Sequence, residues 1–388
     1  MPDGMGQPSL WSFPAAESVS EVLEWRTDVL RARAGEQRIA LRSLPREIVT
    51  LRHKLNALEL AQVAELVRAG FAEEWWVPLW HMSQQPTMDL TQGDLEIALD
   101  TSVADFQSPG FAAIALDGGE AALLEISSTQ PDRLILAEPL VLQTPTMTVS
   151  AGRVTVAPLR IGILASALEI ERRRQNDGTV TATFLLRDVA DLTPPVLPSY
   201  LGSSVQTDPS LTRAPLSASL RRAVEYVDNG FGPVVIEPLR DVFERGETIT
   251  LKAQGPAERW ALRRWLWSLR GRQASFWLPT WGRELQLQVA MTSGSAQMRV
   301  VPVAALAAYV GRKILLEMPS GPRFRTITAA VAEGSVHRLT ISSNLGEPVT
   351  MGTKVHFMTH VRSDADRIEI QHGVVASEVT LPVVEVSA

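Results

Sequence analysis

Trp75-Trp76-Val77-Pro78-Leu79-Trp80 in the first half of the chain is answered by Phe276-Trp277-Leu278-Pro279-Thr280-Trp281 in the second. Each copy follows the pattern of a short amphipathic helix and precedes a long β-rich stretch, so the likeness extends well beyond six residues and implies a duplicated domain. At 388 residues, 45% of them hydrophobic and 21% charged, the chain is long enough for two domains that each bury a core.

The flanks of the repeated string carry the same plan. In the first half, 27–33 and 37–43 flank Ala34-Gly35-Glu36 and suit a hairpin. A strand follows from Arg46. Asn56 with Glu59 three residues on resembles a capping box, opening a helix that runs through Ala69 to a stop at Gly70. Leu60, Val63, Leu66 and Val67 lie at helical spacing. In the second half a strand over 247–253 leads into Gly255-Pro256, where proline suits the first helical turn because its missing N–H has no intrahelical partner to lose. That helix runs to about Arg270, with Leu262, Trp265, Leu266 and Leu269 as its apolar stripe. Beyond the tryptophan strands, 123–127 and 133–137 correspond to 325–329 and 337–342, with Arg133-Leu134 matching Arg338-Leu339. Each half closes on a hairpin, Leu168-Glu169-Ile170 turning through Asn176-Asp177-Gly178, and Ile368-Glu369-Ile370 turning through Gln371-His372-Gly373; glycine supplies the backbone freedom such tips need.

The expected fold is therefore mainly β (β-rich α+β), as two tandem related β-barrel or sandwich-like domains with one amphipathic helix each. The boundaries are an N-terminal arm over 1–20, a first repeat over 21–190, a proline-rich linker over 191–215 and a second repeat over 216–388. Proline at the density of Thr193-Pro194-Pro195-Val196-Leu197-Pro198 resists helix and central strand alike and predicts a stiff extended connector.

Composition narrows the function classes. The absence of cysteine removes disulfides, thiolate metal sites and cysteine nucleophiles. A net charge of −6 and a pI near 5.7 give no reason to expect nucleic acid or an anionic membrane as a direct partner. The longest apolar run, 300–310, is interrupted by Pro302 and too short to span a bilayer. Met1 to Pro14 has no basic cluster or apolar core and does not read as a secretory signal.

Eight of the ten tryptophans lie in or beside the two helix-strand units. Core packing is one reading for them and an aromatic surface for a partner subunit the other. Trp260 and Trp267 fall off the apolar stripe of their helix, which favours an outward face. The candidate interface residues are Trp75, Trp76, Trp80, Trp260, Trp267, Trp277 and Trp281, with Arg31, Arg33, Arg38 and Arg42 of the first hairpin as charged contacts to an adjacent subunit. Arg172 to Arg174 add a short basic run. His356 and His360 are four apart, but the segment alternates like a strand, which would set them about 13 Å apart, too far to share one ion. Ser293-Gly294-Ser295 lacks the strand-elbow-helix setting of a hydrolase serine. Asp94, Glu96, Asp100 and Asp105 form an acidic stretch without a second-half counterpart, simplest as a solvated loop. No catalytic, cofactor or metal residues are expected.

A hairpin, a helix, the aromatic-x-Pro-x-Trp strand, a barrel-like stretch, the connector Leu197-Pro198-Ser199-Tyr200-Leu201-Gly202 with Asp208-Pro209, and then the same scheme again resembles the distal tail and baseplate proteins of long-tailed bacteriophages. The resemblance implies a non-enzymatic structural protein of the virion tail tip, made in the host cytoplasm, forming a ring between the tail tube protein and the hub and fibre proteins. Because tubes of that family are sixfold and hubs commonly threefold, two similar domains per chain suit a trimer with pseudo-sixfold symmetry; a hexamer is the second arrangement. A carbohydrate-binding module of a receptor-binding tip, resting on Trp80 and Trp281, and a glycan hydrolase are the alternatives.

Overall fold

A computed structural model describes residues 8–13, 18–32, 35–70, 73–117, 119–142, 148–172, 177–188, 192–213 and 217–386. Arg33, Arg173, Arg174 and Asn176 of the sequence reading lie outside them. The first half runs β1 (Ser9–Leu10), β2 (Ser18–Glu24), β3 (Thr27–Arg31), β4 (Glu36–Ala40), β5 (Arg46–Asn56), α1 (Ala57–Gly70) and β6 (Trp75–Pro78). It continues with β7 (Leu90–Thr91), β8 (Glu96–Ala98), β9 (Gly110–Leu116), β10 (Ala121–Gln130), β11 (Arg133–Leu136), β12 (Thr148–Val149), β13 (Val154–Leu164), β14 (Glu169–Arg172) and β15 (Asp177–Leu186). The connector holds β16 (Ser199–Tyr200) and β17 (Ser203–Ser204). The second half is β18 (Ser217–Val227), β19 (Val235–Gln254), α2 (Gly255–Leu269), β20 (Ser275–Pro279), β21 (Gln297–Val300), β22 (Lys313–Met318), β23 (Gly321–Glu333), β24 (Val336–Ile341), β25 (Val355–Ser363), β26 (Arg367–His372) and β27 (Ala376–Glu385). The protein is mainly β, and nearly all of its pairing is antiparallel.

Strand partners recur between the halves. β13 pairs with β6, β9 and β15, and β25 pairs with β20, β22 and β27. β15 then pairs with β5 and β14, as β27 does with β19 and β26. Outward from β9, the ladder β9-β10-β11-β8 matches β22-β23-β24-β21. The two tryptophan strands, β6 and β20, occupy the same place in this scheme.

β2 joins the halves. It pairs with β5 on one side and β26 on the other, so one continuous antiparallel sheet runs β14-β15-β5-β2-β26-β27-β19-β18. Alternation along β5 buries Val49, Leu51 and Leu55 against α1 and β15, while β19 buries Ile249 and Leu251 against α2 and β27. The strands beyond β6 and β20 enclose separate cores around Ile97, Ile126 and Leu134, and around Met298, Ile327 and Leu339.

Local signals place the helices. Asn56 Oδ1 accepts from the N–H groups of Leu58 and Glu59 at 2.9 and 3.0 Å, and Glu59 Oε2 accepts from the N–H of Asn56 at 2.8 Å, the reciprocal cap expected from sequence. α2 has no side-chain cap at Gln254, but Glu258 reaches back to its N–H at 2.8 Å. Arg270 ends that helix in the left-handed region at φ 50°.

The structure places two segments and corrects the bounds of a third. The described part of the arm docks on its own chain: β1 pairs parallel with β6, and Trp11 and Phe13 are buried in the first-half core. Trp11 donates from Nε1 to His53 Nε2 at 3.0 Å. The proline-rich connector packs on the second half, since Leu211 and Val205 are buried in second-half cores and Trp277 Nε1 donates to the Tyr200 carbonyl at 2.8 Å. The strand expected over 247–253 is only the end of β19, which forms a long hairpin with β18. Among the described residues no helix is long and apolar enough to cross a membrane.

Candidate functional site

The aromatic surface expected from sequence does not form. Trp75, Trp80, Trp267 and Trp277 are buried, and Trp76, Trp260 and Trp281 are partly buried. Trp267 misses the apolar stripe because its helix buries two faces: one against its own half, the other against the first. Its ring meets Trp25, just beyond β2, edge to face at 5.8 Å, and Trp260 packs on the first-half core. These two tryptophans are interface residues, but the interface is inside the chain.

The first hairpin behaves the same way. Arg38 donates to the Gln273 carbonyl at 2.6 Å, Arg31 lies 3.8 Å from Asp364, and Thr27 N–H donates to Asp366 at 2.8 Å. Glu36 accepts from Arg362 of β25 at 2.6 Å. Arg42 pairs locally with Glu24 at 2.9 Å. Arg31 and Arg38, expected to reach a neighbouring subunit, therefore reach the chain's own second half.

Between the halves lies a buried polar cluster that sequence reading missed. Arg263 of α2 donates from Nε to Glu21 of β2 at 2.6 Å and from Nη2 to Glu47 of β5 at 2.5 Å. Its Nη1 lies 3.9 Å from Asp105, which Arg160 of β13 holds at 2.5 Å. The guanidinium is flanked by the rings of Trp260 and Trp267 at 5.7 and 5.5 Å, which favour a desolvated cation. On the far side of Glu21, His372 Nε2 lies at 3.3 Å and His81 Nε2 at 3.6 Å, the two imidazoles stacked with centroids 4.2 Å apart. His372 Nδ1 meets Ser377 Oγ at 2.7 Å.

Burial works against ionisation of Glu21, but Arg263 and the hydrogen bond to His372 outweigh it and hold this carboxyl well below the usual range. One guanidinium does not neutralise two buried carboxylates equally. Burial, together with the charges of Glu21 and Asp105, outweighs Arg263 at Glu47 and pushes it up to about 7. Burial and neighbouring His372 drive His81 well below its ordinary value, so it sits neutral. Burial opposes the charge of Arg263 as well, yet Glu21 and Glu47 more than restore it.

Glu21, His81 and His372 offer donor atoms within 4.8 Å of one another, the spacing of a metal site. The stacking argues against that use. Rings stacked 4.2 Å apart and inclined by only 23° hold their in-plane lone pairs in separate, nearly parallel planes, poorly placed to meet at one ion, and Arg263 already occupies one oxygen of Glu21. A cavity of about 30 Å³ beside His81, Arg259, Trp260 and His372 has room for a water molecule. The arrangement can hold the halves in register and store a proton.

The other candidates are engaged structurally. Asp94 accepts from Thr91 N–H, Asp100 caps the single turn Thr101–Val103, and Glu96 pairs with Arg133. His356 and His360 lie on β25 as expected and have separate partners, Glu317 at 3.0 Å and Ser203 at 3.2 Å. Ser295 closes a turn with Gln297. A groove of about 540 Å³ opens beside Trp281, Arg283, Glu317, Lys354 and His356. Burial there is outweighed at Glu317 by Lys354 and His356, which keep its carboxyl below the usual range. No protein-family model matches the chain, and no characterised protein is similar to it at a significant level.

Proposed function

We propose that the chain is a non-enzymatic ring component of a bacteriophage tail tip or baseplate, seated where the tail tube meets hub and fibre proteins. The observation that carries this reading is the recurring strand scheme set edge to edge: two like units joined head to tail within one chain are the unit from which a closed ring is built when the same step is repeated between chains. Among the described residues, Arg31, Arg38, Arg42, Asp94, Glu96, Asp100, Arg263, His356 and His360 are engaged with internal neighbours, as suits a scaffold. Three chains then place six like units around the axis. Mass photometry of the purified protein is expected to give three chains, with six lobes in class averages, and antibody labelling is expected to mark the tail tip of intact particles. A single chain at micromolar concentration overturns the ring.

The groove beside Trp281 favours a second reading, carbohydrate recognition, because an aromatic flank with charged and polar neighbours suits a sugar. Trp80, the other tryptophan assigned to it, is buried. Glycan-array binding lost in Trp281→Ala would support this reading, and an array without signal removes it.

A further inference from the structure

The internal junction has an unused counterpart at each end of the sheet. Asn56 and Gln254 both end the strand before a helix, and they pair with Asp177 and Ala376. Counting back from them, Val49 matches Glu247 and Glu47 matches Arg245. Their partners on the next strand match in turn: Glu21 corresponds to Ala218, and Leu23 to Leu220. On the other edge Leu168, just before β14, with Glu169-Ile170 of β14 corresponds to Ile368-Glu369-Ile370 of β26, since Ile170 pairs with Val180 and Ile370 with Val379. β18 is thus the equivalent of β2, and β14 of β26.

Inside the chain those equivalents meet: β2 and β26 pair antiparallel, and Leu23 and Ile370 are 0% and 1% exposed. At the ends of the sheet they do not. Among the described residues β18 pairs only with β19 and β14 only with β15, leaving Leu220 76% and Ile170 40% exposed. Open antiparallel edges with apolar side chains are templates for another strand.

Three differences fit this second junction. Aligning the stripe Val63, Leu66, Val67 with Leu262, Trp265, Leu266 puts Ala64 where Arg263 stands, and Ala218 stands where Glu21 does; the Arg263–Glu21 pair has no counterpart there, and the Arg245–Glu247 pair at that edge is already made within one chain. The charged first hairpin lies on Arg362 of β25, whereas the corresponding position of β13, by its pairing with β15, is Ile163. The corresponding hairpin, the outer part of β18 and β19, carries no such set of arginines at its tip but exposes Tyr226, Phe231, Val235 and Ile236, with Phe231 93% exposed. Charge faces charge inside the chain, whereas the hairpin tip at the end of the sheet exposes apolar side chains.

We infer that the free edges are one interface: β18 of one chain pairs antiparallel with β14 of the next, in the register of β2 on β26, and the apolar hairpin tip lies over the neighbour's β13. The partner is a second copy of this chain. The internal register sets Ser217 opposite Glu171, Ala218 opposite Ile170 and Leu220 opposite Leu168. Closure into a ring rests on the function proposed above; the pairing of the edges does not.

The chain has no cysteine, so paired thiols report the register directly. S20C with Q371C, facing one another across the internal junction, is expected to form a disulfide within one chain on diamide oxidation. S217C with E171C is expected to link chains, ending in a covalent species of three, and S217C with I170C, one residue out of register, to stay uncrosslinked. L220K and I170K are expected to abolish the multi-chain species with unchanged far-UV circular dichroism, which separates lost assembly from lost fold. A multi-chain particle that S217C/E171C fails to link, or that survives both lysines, overturns the edge pairing and leaves the ring standing. Linked chains that grow open-ended uphold the edge pairing and overturn the ring. Single chains throughout, with S20C/Q371C closed, overturn both.

Discussion

α1 and α2 occupy the same place in the strand scheme but have opposite surroundings. α1 packs on β5 and β15 and turns its other side to solvent, where Leu58 is exposed and Glu65 pairs with Arg68. α2 packs on β19 and β27 and also on the turn Thr101–Val103 of the first half. A helix with one neighbour needs one apolar stripe, and a helix with two needs apolar or compensated residues around most of its circumference. That is why α2 carries Trp260 and Trp267 together with the buried Arg263, and why none of these types stands on the outer face of α1 except the surface ion pair. Trp260 and Trp267 mark the junction, and the duplication alone does not explain them.

The comparison breaks most readily at the second face of α2. Trp267→Ala is expected to cost about 3–5 kcal/mol, the usual loss for a large aromatic in a core, read as a shift of the urea midpoint; Arg68→Ala on α1 is expected to leave the midpoint where it is. Arg263→Ala is expected to cost a similar amount, about 3–5 kcal/mol, because it strands Glu21 and Glu47 without a cation. Replacing the set together, Arg263→Met with Glu21→Gln and Glu47→Gln, is expected to recover at least half of that loss. If the triple variant is no better than the single one, the cluster is held by geometry and not by charge compensation.

A smaller effect follows from the two carboxylates. Glu47, raised to about 7 in the fold from 4.5, binds its proton more tightly when folded, so its contribution is full below the unfolded value and is lost as pH rises through about 7. Glu21 is depressed, so its contribution is present above 4.5 and is lost as pH falls through the lower folded value. Glu47→Gln is therefore expected to flatten the fall in melting temperature between pH 5 and pH 8; a slope as steep as in the parent protein would assign the proton elsewhere. The smallest difference lies at the helix starts: Asn56→Ala is expected to cost about 1 kcal/mol for the lost cap, and Gln254→Ala much less, since its side chain makes no capping bond.

Local patterns were legible in the sequence wherever neighbours along the chain decide the structure. The capping box at Asn56, the Gly-Pro start of α2 and the tryptophan strands sit where spacing predicts; the closing hairpins form, but Asp177 and Gly178 pair within β15 and Gln371 and His372 within β26, outside the turns expected for them. The junction was not legible, because its parts are far apart in sequence: Glu21 and His372 meet across 351 positions. A helical wheel that assumes a single buried face turns Trp267 outward, although a second face was packed. Two signals were available. Glu21 shares a strand face with Val19 and Leu23, and Arg263 stands beside Leu262 between two tryptophans; in both places a charge occupies a position that otherwise reads as core. β18 and the outer part of β19 escaped because an exposed hairpin imposes no alternation of burial to read.

The placement of β2 also governs the order in which the molecule can be finished during synthesis. Its inner edge meets β5 early, but its outer edge waits for β26, and Glu21 waits for α2 with Arg263, both in the second half of the chain. Until then the first half emerges from the ribosome with Leu23 uncovered and Glu21 without its cation. Contacts this distant in sequence form late because the intervening chain must first be closed into a loop. Folding is thus sealed by the same strand that aligns the halves, and a nascent chain stopped before residue 367 presents an open edge of the very kind that completed chains are inferred to exchange.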